Sequence, residues 1–259
     1  RGTTADPEGN ITVEDEALCM ENFEAAMAVA NSGGIVIAQV ERISDQPAKP
    51  HAVSIPGIFV HYVVVAANRH AHPHTLFTEH DPSYTGGARA DLEREFQPMP
   101  LTAEKVICRR VALELGDARR VNLGVGIPTS IASVAHEEGT LDRLTLNTEV
   151  GVLGGLPQSG KNFGPAKNPS AFISQAAMFD FYDGGGLDLT CVGIAQVDGD
   201  GNVNVSKIGP KIIGCGGFIN ITQSTKSVIF CGEFTAVGNR TAIQNGTLQI
   251  LTEGKVQKF

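Results

Sequence analysis

The sequence predicts an α/β fold, an open and mostly parallel sheet with helices on both faces. Three observations carry this. Helix-like and strand-like patterns alternate along the chain, the order that covers a parallel sheet with helices. Residues 35–40, Ile-Val-Ile-Ala-Gln-Val, read as a strand buried on both faces. Glycine-rich turns follow strand-like runs repeatedly, and open α/β sheets place ligands beyond the carboxyl ends of their strands.

A turn opens the chain at Asp6-Pro7-Glu8-Gly9. Met20, Phe23, Met27 and Ala30 then share one face of a helix, which Gly33 or Gly34 ends with a left-handed cap. After the strand at 35–40, residues 58–65 form a second β-rich run. Residues 66–98 are polar and broken by Pro73, Pro82, Gly86, Gly87 and Pro98, the mark of a surface excursion and linker with a boundary near Gln97. His70, His72, His74 and His80 fall in it. No Asp, Glu or Cys accompanies them at a known metal spacing, so a solvated loop is expected there and no metal site.

A second unit begins at Thr102, the N-cap of a helix whose Ile107, Val111 and Leu115 share a face. Residues 120–123 form a strand, and Pro128 sits where the next helix starts. That helix ends at Gly139, and a strand over 144–147 leads to Glu149. Asn168-Pro169-Ser170 is expected to start a short helix through Met178. A strand at 187–195, a hairpin around Gly199-Asp200-Gly201, a core strand at 227–231 and a peripheral hairpin after Gly246 complete the pattern.

The 259 residues, 42% hydrophobic and 19% charged, suit a core-forming protein of one or two domains. The net charge of −8 weighs against nucleic acid as a partner, since basic patches are its usual footprint. No run reaches the roughly 18 apolar residues that a membrane-spanning helix needs. Cys19, Cys108, Cys191, Cys215 and Cys231 are scattered and odd in number, as expected of reduced thiols in a cytoplasmic setting. The chain starts without Met and ends abruptly, so a polypeptide extending beyond both ends is expected.

The chemistry concentrates around residues 147–155, Asn-Thr-Glu-Val-Gly-Val-Leu-Gly-Gly, where a strand stops at one carboxylate beside a glycine turn. A desolvated, aligned carboxylate can act as a nucleophile. By spacing alone Glu149 serves equally well as a helix cap or a surface charge. Gly124-Val125-Gly126 and Gly214-Cys215-Gly216-Gly217 are two further turns whose amides can approach an anion closely. Gly124-Val125-Gly126 is not a dinucleotide fingerprint, because Thr129 stands where its third glycine would fall.

Residues 121–128 (Val-Asn-Leu-Gly-Val-Gly-Ile-Pro), Thr148-Glu149-Val150-Gly151 with Gly154-Gly155, residues 179–189, residues 201–207 and residues 214–220 together resemble the class I coenzyme A transferases, in particular the acetate/propionate branch. The likeness spans nearly the whole chain. It implies a two-domain open α/β fold, with residues 1–98 the end of a first, incomplete domain and residues 99–259 a second domain carrying the catalytic glutamate. It also implies transfer of coenzyme A from a short-chain acyl-CoA to a carboxylic acid acceptor, through a glutamyl-CoA thioester on Glu149. Coenzyme A contacts are expected at Asn122, Gly124, Gly126, Gly151, Gly214, Gly216 and Gly217. The implied enzyme is a homo-oligomer that uses coenzyme A thioester as substrate and holds no permanent cofactor. Acyl-CoA hydrolysis and non-catalytic acyl-CoA binding are the alternatives. The sequence departs from the branch at Val150, where Ser is common, which implies altered packing or substrate preference.

Overall fold

The computed structural model describes residues 1–259. It forms two compact units, Arg1–Ala90 with Thr148–Asp180, and Asp91–Asn147 with Phe181–Phe259. The division therefore differs from a single cut near Gln97, and Glu149 groups with the N-terminal residues. The physical reason is that the chain after Thr148 folds back onto its beginning. The Gln175 amide donates to the Met20 carbonyl at 3.0 Å and the Asn168 amide to the Ser83 carbonyl at 2.9 Å.

In the first unit β1 (Gly2–Ala5), β2 (Ile11–Thr12), β3 (Ile37–Ile43) and β4 (Tyr62–Val65) make one sheet in the order β2-β1-β3-β4. β1 and β3, and β3 and β4, run parallel, while β2 is antiparallel to β1. Helix α1 (Asn22–Asn31) appears where its apolar spacing predicts. Gly33 closes it with φ +73°, and the Gly34 amide reaches back to the Val29 carbonyl. Ala5, Ile11, Ala26, Ala38, Val40 and Ile55 form the core.

β3 is not covered on both faces as its apolar run suggested. Val40 is fully buried, but Ile37 is 63% exposed. Side chains alternate across a strand, and here only one face meets α1 and the core. The helix expected from Asn168 is also replaced. Asn168 has φ +53°, and its side-chain amide clamps Ala90, accepting from the Ala90 amide at 2.8 Å and donating to its carbonyl at 2.9 Å. Residues Ala171–Phe172 then pair as a strand with Val152–Leu153. Helix formation waits for Gln175.

In the second unit, α2 (Leu92–Glu95) precedes α3 (Ala103–Ala112), whose N-cap Thr102 accepts from the Lys105 amide. β5 (Arg120–Leu123) leads through α4 (Ile131–Glu137) to β6 (Thr145–Thr148). The chain returns through α5 (Gln175–Asp183) to the strand Leu189–Gly193, then through α6 (Phe218–Gln223) to Ser227–Cys231. β5 lies between β6 and Leu189–Gly193, and Ser227–Cys231 is beyond it; all three pairings are parallel. The chain thus winds one way from β5 and then the other, which creates a switch point beside the end of β5, where such sheets hold ligands. The hairpin expected after Gly246 is instead centred on it: Arg240–Gln244 pairs with Thr247–Thr252, and Val256–Gln257 pairs with Thr235–Ala236.

Candidate active site

Glu149 follows β6 directly and occupies a turn with Val150. The Gly151 amide donates to the Thr148 carbonyl at 3.1 Å, closing that turn. Gly151 has φ +100°, and a Cβ there would collide with the Ile173 carbonyl oxygen, so only glycine fits. The Ile173 amide in turn donates to the Gly151 carbonyl at 2.9 Å. Thr148, 2% exposed, donates its hydroxyl to the Gly164 carbonyl at 2.8 Å.

Glu149 is half-buried. Burial raises its carboxyl above the ordinary 4.5, and the only opposing influence is a hydrogen bond from its own backbone amide. No neighbouring cation neutralises it. Desolvation without a charged partner leaves a carboxylate basic and poorly stabilised, the state a nucleophile requires.

The strand that leads to it is fastened in the second unit by a buried polar network. Tyr182 donates its hydroxyl to Asn147 Oδ1 at 2.7 Å, and Asn147 Nδ2 donates to the Val121 carbonyl on β5 at 3.1 Å. Asn122 Nδ2 reaches the Asn147 carbonyl at 3.3 Å, and Thr190 Oγ1 reaches Asn122 Oδ1 at the same distance. Asn122 was expected to touch coenzyme A. The structure buries it to 1% exposure and commits its amide to this network, which makes it a support of the sheet. Thr148 and Tyr182 lie inside the motifs that carry the family resemblance and Asn147 directly precedes one, but nothing in the spacing of the three reveals a shared hydrogen-bond network.

The expected glycines divide between the units, Gly151 in the first and the rest in the second. Gly124 sits at the switch point: its amide donates to the Cys191 carbonyl at 2.8 Å, and a Cβ would stand 3.4 Å from the Cα of Val192. Gly126, Gly214 and Gly216 have φ of +90°, +87° and +53° and open space where a side chain would lie. Gly217 is the N-cap residue of α6.

The histidine-rich segment is not a solvated loop throughout. His70 and His80 are exposed, but His72 and His74 are buried. Gln39 Nε2 donates to the Ala71 carbonyl at 3.0 Å and lies 2.9 Å from His72 Nδ1, so that nitrogen accepts and Nε2 carries the proton toward Glu16 Oε1 at 2.7 Å. Glu16, Glu41 and His72 place ligand atoms within 4.8 Å of one another. Each is already engaged, for Arg1 Nε holds Glu16 at 2.8 Å and Arg69 pairs with Glu41. Two guanidiniums on the carboxylates make this an ion-pair cluster and a poor cation site. Its members come from β-strand, loop and N-terminus, so no sequence spacing announces it.

No family model matches the chain. Among curated proteins it is 46% identical over its full length to a caffeate CoA-transferase of Acetobacterium woodii, of which it covers 50%. It is 39% identical over its full length to the acetate CoA-transferase YdiF of Escherichia coli O157:H7, of which it covers 48%. The crystal structure of the YdiF apoenzyme superposes over the whole chain with a TM-score of 0.89 at 38% identity, covering 48% of that chain. A thioester complex of YdiF with CoA superposes with a TM-score of 0.87 at 38% identity, again over the whole chain and 48% of YdiF. The chain spans about half the length of the curated relatives it matches.

Proposed function

Since the chain belongs to the class I coenzyme A transferase family, we propose that it supplies the covalent nucleophile, Glu149, for transfer of coenzyme A from an acyl-CoA to a carboxylic acid. The observation that carries this reading is the site of Glu149: a half-buried carboxylate with a raised pKa and no charged partner, on a glycine-only turn at the end of a parallel strand. The thioester complex of the related YdiF supports a covalent route.

The Glu149 carboxylate attacks the thioester carbonyl and expels coenzyme A thiolate, leaving an acyl-glutamyl anhydride. The thiolate attacks the glutamyl carbonyl and releases the first acid, leaving a glutamyl-CoA thioester. A second acid attacks that thioester, and the same steps run in reverse. Amides at Gly126, Gly216 and Gly217 are the proposed donors to coenzyme A and to the developing oxyanions, where one donor is typically worth about 3–4 kcal/mol of transition-state stabilisation. The Gly124, Gly151 and Gly214 amides are already committed to the Cys191, Thr148 and Ser206 carbonyls, and these glycines are proposed to shape the turns. Short-chain acids such as acetate and propionate are the proposed acyl and acceptor groups. The proposed setting is cytoplasmic, in a homo-oligomer. No helix is long and apolar enough to cross a membrane.

The test uses the full-length polypeptide that carries this chain. After incubation with acetyl-CoA, borohydride reduction and peptide mass spectrometry should place the modification on Glu149, and Glu149→Ala should abolish acyl exchange. Modification at another residue, or exchange surviving the substitution, overturns the proposal. Free coenzyme A release at full rate without an acceptor acid would identify a hydrolase instead.

A further inference from the structure

The residue before the nucleophile is held from two directions within the first unit. The Thr148 carbonyl accepts from the Gly151 amide at 3.1 Å and closes the turn that contains Glu149. Its hydroxyl donates to the Gly164 carbonyl at 2.8 Å. Gly164 belongs to the connection between the paired segments Leu156–Pro157 and Ala166–Lys167, so this one bond ties the far end of that hairpin to the last residue of β6. Gly164 has φ +125°, and a Cβ there would stand 3.1 Å from Leu18 and 3.9 Å from Val150 of the glutamate turn.

A hydroxyl in this setting is unusual on packing grounds alone. Thr148 is 2% exposed, and valine would fill the same volume without a donor that needs desolvation. Glu149 itself has no ion pair to aim its carboxylate, only its own backbone amide. Its direction therefore depends on the backbone on which it stands. Attack on a thioester carbonyl needs the carboxylate oxygen in a near-attack position, and a misplacement of about 1 Å can cost on the order of 100-fold in rate.

We propose that the Thr148 hydroxyl is a positioning residue for the transferase reaction: through its bond to the Gly164 carbonyl it fixes the turn that aims Glu149, without touching substrate. The inference rests on the transferase reading above.

The experiment measures single-turnover formation of the Glu149 thioester from acetyl-CoA in the full-length protein, with the dissociation constant for acetyl-CoA and the melting temperature of each variant. Thr148→Val keeps the shape and removes the donor; Thr148→Ser keeps the donor and removes a methyl group. The expected result is a rate about tenfold or more lower in Thr148→Val, with acetyl-CoA affinity within about twofold of the parent, and recovery to within about threefold of the parent rate in Thr148→Ser. Should the valine variant fail to fold, Thr148→Ala compared with Thr148→Ser carries the same contrast. Equal rates with and without the hydroxyl, a loss confined to affinity, or a serine variant as slow as the valine variant overturns the positioning role. Absence of a Glu149 adduct in the parent protein overturns the transferase reading, and this role with it.

Discussion

Glu149 is a residue whose ionised form the fold disfavours. Its folded pKa lies above the ordinary 4.5, because burial penalises the charge. Between those two values the folded state binds more protons than the unfolded state, so stability falls as pH rises through that window. Above it, the ionised carboxylate is a constant cost. Glu149→Gln is therefore expected to abolish thioester formation and to raise the melting temperature at neutral pH, measured by calorimetry. Under the proposed mechanism, in which the ionised carboxylate is the attacking form, the acid limb of the kcat/KM profile is expected above pH 4.5. Gly151 makes a second test at this scale. With φ +100° and the Ile173 carbonyl in the way, Gly151→Ala is expected to cost more than about 2 kcal/mol in denaturant melts.

At the scale of elements, β6 is unusual for the polar side chains it buries. Asn147 binds Tyr182 of α5 and the backbone of β5, so the strand is joined sideways by side chains as well as by its ladder. Tyr182→Phe removes the 2.7 Å donor from Asn147 and is expected to cost about 1–2 kcal/mol in urea unfolding. β3 gives the contrasting case. Ile37 is 63% exposed and Ile11, on β2, is fully buried. Ile37→Thr is expected to change stability by no more than about 0.5 kcal/mol, whereas Ile11→Ala is expected to cost about 2–5 kcal/mol.

Across the whole molecule, five free cysteines report on which parts are closed. Cys108, Cys191 and Cys231 are buried, and Cys19 and Cys215 are half-buried. Burial pushes the Cys108 thiol up to about 12, far from the reactive thiolate. In the native protein a thiol reagent is expected to reach Cys19 and Cys215 first, with the other three labelled only after unfolding; peptide mapping distinguishes the sites. Rapid native labelling of Cys108 would contradict its burial. The two compact units do not correspond to halves of the sequence, because Thr148–Asp180 returns to the N-terminal residues.

The sequence by itself determined the elements whose signals are local. Apolar periodicity placed α1 and α3, Pro128 marked the turn entering α4, and glycine marked the end of α1. It also singled out the stretch at Glu149, because a strand ending in an acid beside Gly151 is written in consecutive letters. Tertiary structure decided the rest, for reasons that are not local. Whether β3 has one covered face or two depends on what packs against it, and composition does not record that. The strand at Ala171–Phe172 displaced an expected helix because its partner lies at Val152–Leu153 and Asn168 is clamped to Ala90. His72 is buried because Glu16 and Gln39, distant in sequence, meet it in space. Asn122, expected to face a ligand, turned inward to Asn147 and Thr190 for the same reason. The identity of the acid at 149 is a matter of sequence; its raised pKa and the bonds that aim it arise only when distant segments remove water and supply hydrogen-bond partners.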